Sequence, residues 1–210
     1  MQNQIHTVLG ASGATGKAVT HELKKRNLTV RAVERTTKLG GIETIKADLL
    51  IEDEAIKAIQ NSSFVYLCVG LPYQSKVWQR DWLRLMENVI TACEKTDAKL
   101  IFFDNVYMYG PAPLSVPFTE EHAQHPTTKK GIARKNTADL LLKAIAEKRI
   151  KAVIGRSADF YGEFAVNSPF YISFLQNMLK GKAPQVLGKK DIGHTYAYSG
   201  DNGKLWWHWL

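Results

Sequence analysis

The sequence predicts an α/β fold, a doubly wound parallel sheet with a short or incomplete C-terminal region. Three observations carry that prediction. Strand-like and helix-like segments alternate from the first residues onward, and a glycine-rich loop joins the first strand to the first helix. Residues 64–69 form a continuous apolar run of the kind that parallel sheets bury on both faces. With 210 residues, 45% hydrophobic and 23% charged, the chain has the apolar material for one domain with a sizeable core.

Each element follows from its pattern. Residues 5–9 read as a short buried strand, and residues 17–26 as a helix with Ala18, Val19 and Leu23 inward. Residues 28–33 make a second strand and 43–46 a weak third one. Residues 52–60 place Ala55, Ile56 and Ile59 at helical spacing, and residues 64–69 are the fourth strand. A long helix over 78–95 carries Trp82, Leu85, Met86, Val89, Ile90 and Cys93 as its apolar stripe. Residues 99–103 are the fifth strand, 137–148 a helix and 150–154 the sixth strand. Between them, residues 110–128 hold four prolines without a period and read as a long loop.

Composition narrows the function classes. The net charge of +8 gathers at Lys24-Lys25-Arg26, Lys129-Lys130, Arg134-Lys135 and Lys189-Lys190. No aromatic interleaving or nucleic-acid reading motif accompanies these runs, so an anionic small molecule explains the charge better than a nucleic acid. No apolar run reaches the roughly 18 residues of a membrane helix, and no signal peptide is evident. A cytoplasmic protein without a membrane partner is expected. Cys68 and Cys93 sit among apolar neighbours and are expected as reduced thiols. The histidines show no metal-ligand spacing, so no metal is expected.

The chemistry begins at Gly10-Ala11-Ser12-Gly13-Ala14-Thr15-Gly16. Glycine at positions 10, 13 and 16, between a strand and a helix, allows a tight turn and lets backbone N–H groups approach a pyrophosphate at the helix N-terminus. That is the Rossmann arrangement for a dinucleotide. The spacing G-x-x-G-x-x-G resembles the form used by the extended and atypical short-chain dehydrogenase/reductases, the NAD-dependent epimerase/dehydratase-like branch. Further segments resemble that family in the same order: Ala47-Asp48-Leu49, Cys68-Val69-Gly70, Asn105 to Gly110, and Gly155 to Gly162.

The resemblance implies a division of the chain. Residues 1–165 would be the dinucleotide-binding Rossmann domain and 166–210 a partial substrate-binding region. Gly10, Ser12, Gly13, Ala14, Thr15 and Gly16 would hold the pyrophosphate. Asp48 and Leu49 would meet adenine, and Val69 and Gly70 the cofactor ribose. The second strand ends in Glu34-Arg35, with Lys38 three residues on. Glu34 suits the ribose hydroxyls of NAD, whereas Arg35 and Lys38 suit the 2′-phosphate of NADP. NADP is the expected cofactor, with NAD the open alternative.

The family's catalytic set is a Tyr-x-x-x-Lys pair on a helix and a Ser or Thr on the fifth strand. Lys135, with Asp139 four residues on, matches the lysine, but Gly131 stands at the tyrosine position and Asn105 at the hydroxyl position. Three alternatives stay open: a rebuilt site using Asn105 with Tyr107 or Tyr109, a protein that binds cofactor without turnover, and chemistry from another residue such as Asp104 or Tyr73. Catalytic residues are therefore expected at Asn105, Tyr107 and Lys135, with Lys135 also binding the cofactor. The implied activity is NAD(P)-dependent hydride exchange with a small hydroxyl or carbonyl substrate, as in nucleotide-sugar epimerases. A sensor or regulatory protein is the rival. A homodimer through the long helices near Trp78 and Thr137 is open. At the C-terminus, residues 192–201 still resemble the family, but Trp206, Trp207 and Trp209 do not, which suggests a truncated or shifted reading frame or an exposed apolar patch.

Overall fold

The structure is a computed structural model and describes residues 4–186 and 191–205; Lys189, Lys190 and the tryptophans at 206, 207 and 209 lie outside the described residues. The elements run β1 (Ile5–Leu9), α1 (Ala14–Lys25), β2 (Thr29–Glu34), β3 (Glu43–Lys46), α2 (Glu52–Ile59), β4 (Ser62–Leu67), α3 (Ser75–Thr96), β5 (Lys99–Asp104), α4 (Lys129–Ala146) and β6 (Ala152–Arg156). After them come β7 (Asp159–Tyr161), a π-helical turn at Tyr171–Leu175 continuing into α5 (Gln176–Leu179), β8 (Tyr196–Tyr198) and α6 (Ser199–Leu205). β1 to β6 form one sheet in the order β3-β2-β1-β4-β5-β6, and all of its pairs are parallel. This is the doubly wound Rossmann sheet, whose strand order reverses between β1 and β4.

Alternation along the strands splits the core between the two faces. Leu9, Val33, Val65, Leu67, Leu100 and Phe102 pack under α2, α3 and α4. Val8, Ala32, Tyr66 and Ile101 pack with Val19 and Leu23 of α1. His6 shares that second face, where it is 1% exposed, stacks on Phe64 and hydrogen-bonds through Nδ1 to the Tyr66 hydroxyl at 3.0 Å. Burial lowers its pKa to about 4, so it is a neutral core residue. Cys68 and Cys93 are free thiols, both pushed up by burial, Cys93 to about 12.

Three helices begin earlier than the apolar periodicity indicates. α1 starts at Ala14 rather than Lys17, α3 at Ser75 rather than Trp78, and α4 at Lys129 rather than Thr137. The first turns of α4, Lys-Lys-Gly-Ile-Ala-Arg-Lys-Asn, carry almost no apolar stripe. They are helical because the Thr128 side chain caps the helix, accepting from the Gly131 N–H at 3.0 Å. α6 folds back onto α1, where a Cβ at Gly203 would lie 2.5 Å from the Ala18 carbonyl oxygen. The C-terminal described segment is thus tied to the first helix of the sheet domain.

Candidate active site

The glycine loop is built by steric necessity. Gly10 has φ +80°, and a Cβ there would come within 2.9 Å of the Val69 backbone. A Cβ on Gly16 would meet the Gly10 carbonyl oxygen at 2.1 Å. These contacts press the loop onto the end of β4 and leave α1 with Gly13 as its N-cap, no side-chain cap and no acidic residue in its first turn. The first N–H groups of α1 are therefore left without a side-chain cap, the arrangement that suits an anion.

Beyond the loop lies a cavity of about 300 Å³ lined by Ser12, Glu34, Arg35, Asp48, Leu49 and Val69, among others. The Glu34 carboxylate accepts a short hydrogen bond from the Ser12 N–H, which pins it against the glycine loop. Asp48 is fixed by its own turn, its Oδ1 accepting from the Leu50 N–H at 3.0 Å and its N–H donating to Glu54 Oε2 at 2.7 Å. Arg35 lines the cavity from an exposed position, whereas Lys38 is exposed and does not line it.

A second cavity, about 710 Å³, shares Gly13, Cys68, Val69, Gly70 and Leu71 with the first, so the two are one cleft across the C-terminal ends of β1, β4 and β5. Ala14, Thr15, Asn105 and Tyr107 line it, together with Asp104 and Tyr73. Asn105 spends its side-chain oxygen on the Tyr107 N–H at 3.0 Å. The Tyr107 phenol pairs with the Tyr73 hydroxyl at 3.1 Å and stacks on Trp78 at 5.9 Å. Its pKa is raised, first by burial, then by Tyr73 and by Asp159, with Arg134 opposing. Tyr107 is therefore held protonated, suited to donate a hydrogen bond rather than to act as a base. Tyr109 accepts from Arg156 Nη1 at 2.7 Å and lines neither part of the cleft.

Lys135 is placed differently from Asn105 and Tyr107. Its Nζ pairs with Asp139 Oδ2 at 2.6 Å on the outer face of α4, and it lines neither cavity. Its neighbour Arg134 turns inward instead, 3% exposed, with Nε 2.9 Å from Asp104 Oδ1 and its guanidinium 4.1 Å from the centre of the Trp82 ring. One helical residue is a rotation of about 100°, which separates the cavity face from the solvent face. One turn earlier, Lys130 Nζ lies over the Tyr73 ring, 2.7 Å from its centre. Arg134 is thus the α4 cation that lines the cavity, and Lys130, four residues before it, lies half-buried against Tyr73 without lining either cavity. Gly131 cannot hold an aromatic side chain, because a Cβ there would meet the Tyr107 carbonyl oxygen at 2.5 Å. The sequence pattern missed Arg134, Lys130 and Asp159, although counting one residue back from Lys135 would have found the first two.

A profile of the NAD dependent epimerase/dehydratase family matches residues 6–210. The chain belongs to that family. No curated protein sequence matches it. Among solved structures, a UDP-N-acetylglucosamine 4-epimerase from Bacillus cereus superposes with a TM-score of 0.84 at 18% identity, covering 96% of this chain and 69% of that one. A UDP-glucose 4-epimerase from Thermotoga maritima gives 0.83 at 18%, over 96% and 71%. A UDP-glucose 4-epimerase from Thermus thermophilus, in complex with NAD, gives 0.81 at 18%, over 99% and 74%. These likenesses establish the fold. Among the described residues no helix is long and apolar enough to cross a membrane, and no group of three His, Cys, Asp or Glu could hold a metal ion.

Proposed function

We propose that this epimerase/dehydratase-family chain binds NAD(H) in the cleft and exchanges hydride with a hydroxyl-bearing carbon of a nucleotide-sugar-like substrate. The observation that carries this reading is the continuity of the cleft, from Glu34 at one end to Tyr107 at the other. The residues present fit a dinucleotide: glycines 10 and 16 stand where any Cβ would collide with the loop's own backbone or its neighbour's, and the α1 N-terminus is uncapped by side chains. In this reading Ser12, Gly13, Ala14, Thr15 and Gly16 offer backbone to the pyrophosphate. Glu34 meets the adenosine ribose, Asp48 and Leu49 flank adenine, and Val69 and Gly70 flank the nicotinamide-side ribose. NAD is favoured over NADP because the pinned Glu34 carboxylate would repel a 2′-phosphate, while Lys38 does not line the cavity and Arg35 borders it only from an exposed position.

The bound nicotinamide supplies a hydride acceptor and donor. The chain's own task is to orient the substrate and hold protons. In the reducing direction Tyr107 passes its proton to the substrate carbonyl oxygen as the carbon gains hydride, in the oxidising direction the proton lost from the substrate hydroxyl goes to water through the Tyr107–Tyr73 hydroxyl pair, and Asn105 fixes the Tyr107 backbone. Arg134 takes the interior place for which Lys135 was the sequence candidate. The second reading, binding without turnover, is favoured by one observation: the α4 side chain that lines the cavity is Arg134, and neither a tyrosine nor a lysine of that helix lines it.

Fluorescence titration with NADH and NADPH tests the binding half. Tighter binding of NADH supports the reading, and no binding of either at millimolar concentration overturns it. Tyr107→Phe then separates the two readings: loss of hydride exchange with intact NADH binding supports catalysis. Absence of hydride exchange in the parent protein supports binding alone.

A further inference from the structure

Outside the cleft, the flank of α1 borders a further cavity of about 630 Å³. It exists because of the way β2 is joined to β3. The two strands are parallel, so residues 35–42 must cross the face of the sheet on which α1 lies, and they do so without a helix. Such crossovers usually carry a helix that fills this layer. Here bare chain leaves a hollow between itself and α1. Leu39 and Ile42 of the crossover pack against the same apolar cluster as Val19 and Leu23 of α1, and with Phe164 they give the hollow an apolar lining.

The charge on its wall is of one sign. Lys17, Lys24 and Lys25 line the cavity from α1, and no aspartate or glutamate among the described residues lines it. None of the three lysines has an ion pair among the described residues. The nearby carboxylates are held elsewhere, Glu22 by Arg26 at 2.8 Å and Glu43 by Arg31 at 3.2 Å. Lys24 extends toward the crossover, where a Cβ at Gly41 would lie 3.9 Å from its Nζ. The His21 ring, also on the wall, meets Phe164 edge-on with centres 6.3 Å apart. Thr20 lies between these groups, 7% exposed, and its hydroxyl has no hydrogen-bond partner among the described residues. A buried hydroxyl without a partner carries a cost that a bound polar group removes. Lysines in the last turn of a helix suit its dipole. The dipole accounts neither for Lys17 in the first turn, nor for the unpaired hydroxyl, nor for the apolar hollow beside them.

We infer that this cavity is a second ligand site, for a small molecule that joins an aromatic ring to a phosphate monoester. The ring lies against Phe164, Leu39 and Ile42, and the phosphate meets the lysines of α1, with the Thr20 hydroxyl as a further partner. A phosphate dianion satisfies more than one ammonium through charge-assisted hydrogen bonds. The site shares no lining residue with the cleft, and the inference does not rest on the proposed function.

The test is a titration of the full chain with phenyl phosphate, followed by amide NMR, with inorganic phosphate and phenol as separate arms. Phenyl phosphate should shift the amides of Thr20, His21, Gly40 and Ile42 and bind about tenfold more tightly than either fragment. Lys24→Glu, at an exposed position, should weaken it about fivefold or more. Thr20→Val keeps the side-chain shape, removes the hydroxyl and should also weaken it. Four results would each overturn the site: no shifts, shifts confined to the glycine loop at 10–16, inorganic phosphate binding as tightly as phenyl phosphate, or unchanged affinity in both variants. The second would assign the phosphate to the cleft, and the third would leave only lysines attracting an anion.

Discussion

Among single residues, the cleft is governed by a few side chains whose roles differ from their nearest neighbours'. Glu34 is the clearest. Pinned on Ser12 at the end of β2, it is the group that the proposed cofactor placement sets against a 2′-phosphate. Glu34→Gln is expected to raise NADPH affinity relative to NADH by about tenfold, read by parallel titrations; an unchanged ratio would assign the preference elsewhere. Gly131 gives a second prediction. Because a Cβ at this position meets the backbone oxygen of Tyr107, Gly131→Ala should cost about 1–3 kcal/mol, seen as a fall of several degrees in Tm. Restoring a tyrosine at 131 should be worse still, whereas Lys130→Tyr meets no such backbone contact. Thermal unfolding of the three variants ranks them.

Among the helices, α4 and α6 depend on contacts that hydrophobic patterning does not report. The first turn of α4 is held by one cap, so Thr128→Ala should cost about 1 kcal/mol and speed amide exchange over the first turns of α4, leaving its C-terminal half protected. α6 sits on α1 through Gly203, where any side chain would enter the Ala18 carbonyl. Gly203→Val should therefore release α6, read as faster exchange in that segment with NADH binding retained. The start of α4 is invisible to periodicity for a physical reason: its first eight residues bury only Gly131, Ala133 and Arg134, none of them a large apolar side chain. The polar run ahead of Thr137 is helix all the same, capped at one end and packed by a glycine and a buried cation.

For the molecule taken as one body, stability should depend on pH through His6. Its folded pKa of about 4 lies below the unfolded 6.5. The stabilising neutral state is complete above pH 6.5, is lost as pH falls toward 4, and loses no more below that. The loss is at most about 3 kcal/mol. Urea midpoints measured from pH 4 to 7 should slope upward, and His6→Phe should flatten that slope; an equally steep slope in the variant would assign the dependence to other groups.

The alternation of strands and helices, the parallel sheet, and the glycine loop with its place before α1 are all legible in the chain's residue order, because they rest on periodicity and on glycine's freedom at fixed positions. So are the segments at Asp48, Val69 and Asn105 that border the cleft. Which face of α4 looks inward is settled by packing alone. A shift of one residue swings a helical side chain by about 100°, and that rotation is set by the Thr128 cap and by Gly131 resting on Tyr107. Hence Arg134, joined to Asp104 of β5 and across it to Arg156 of β6, lies in the cavity while Lys135 faces Asp139 and solvent. Partners some thirty and fifty residues apart meet only when β5, α4 and β6 are laid side by side.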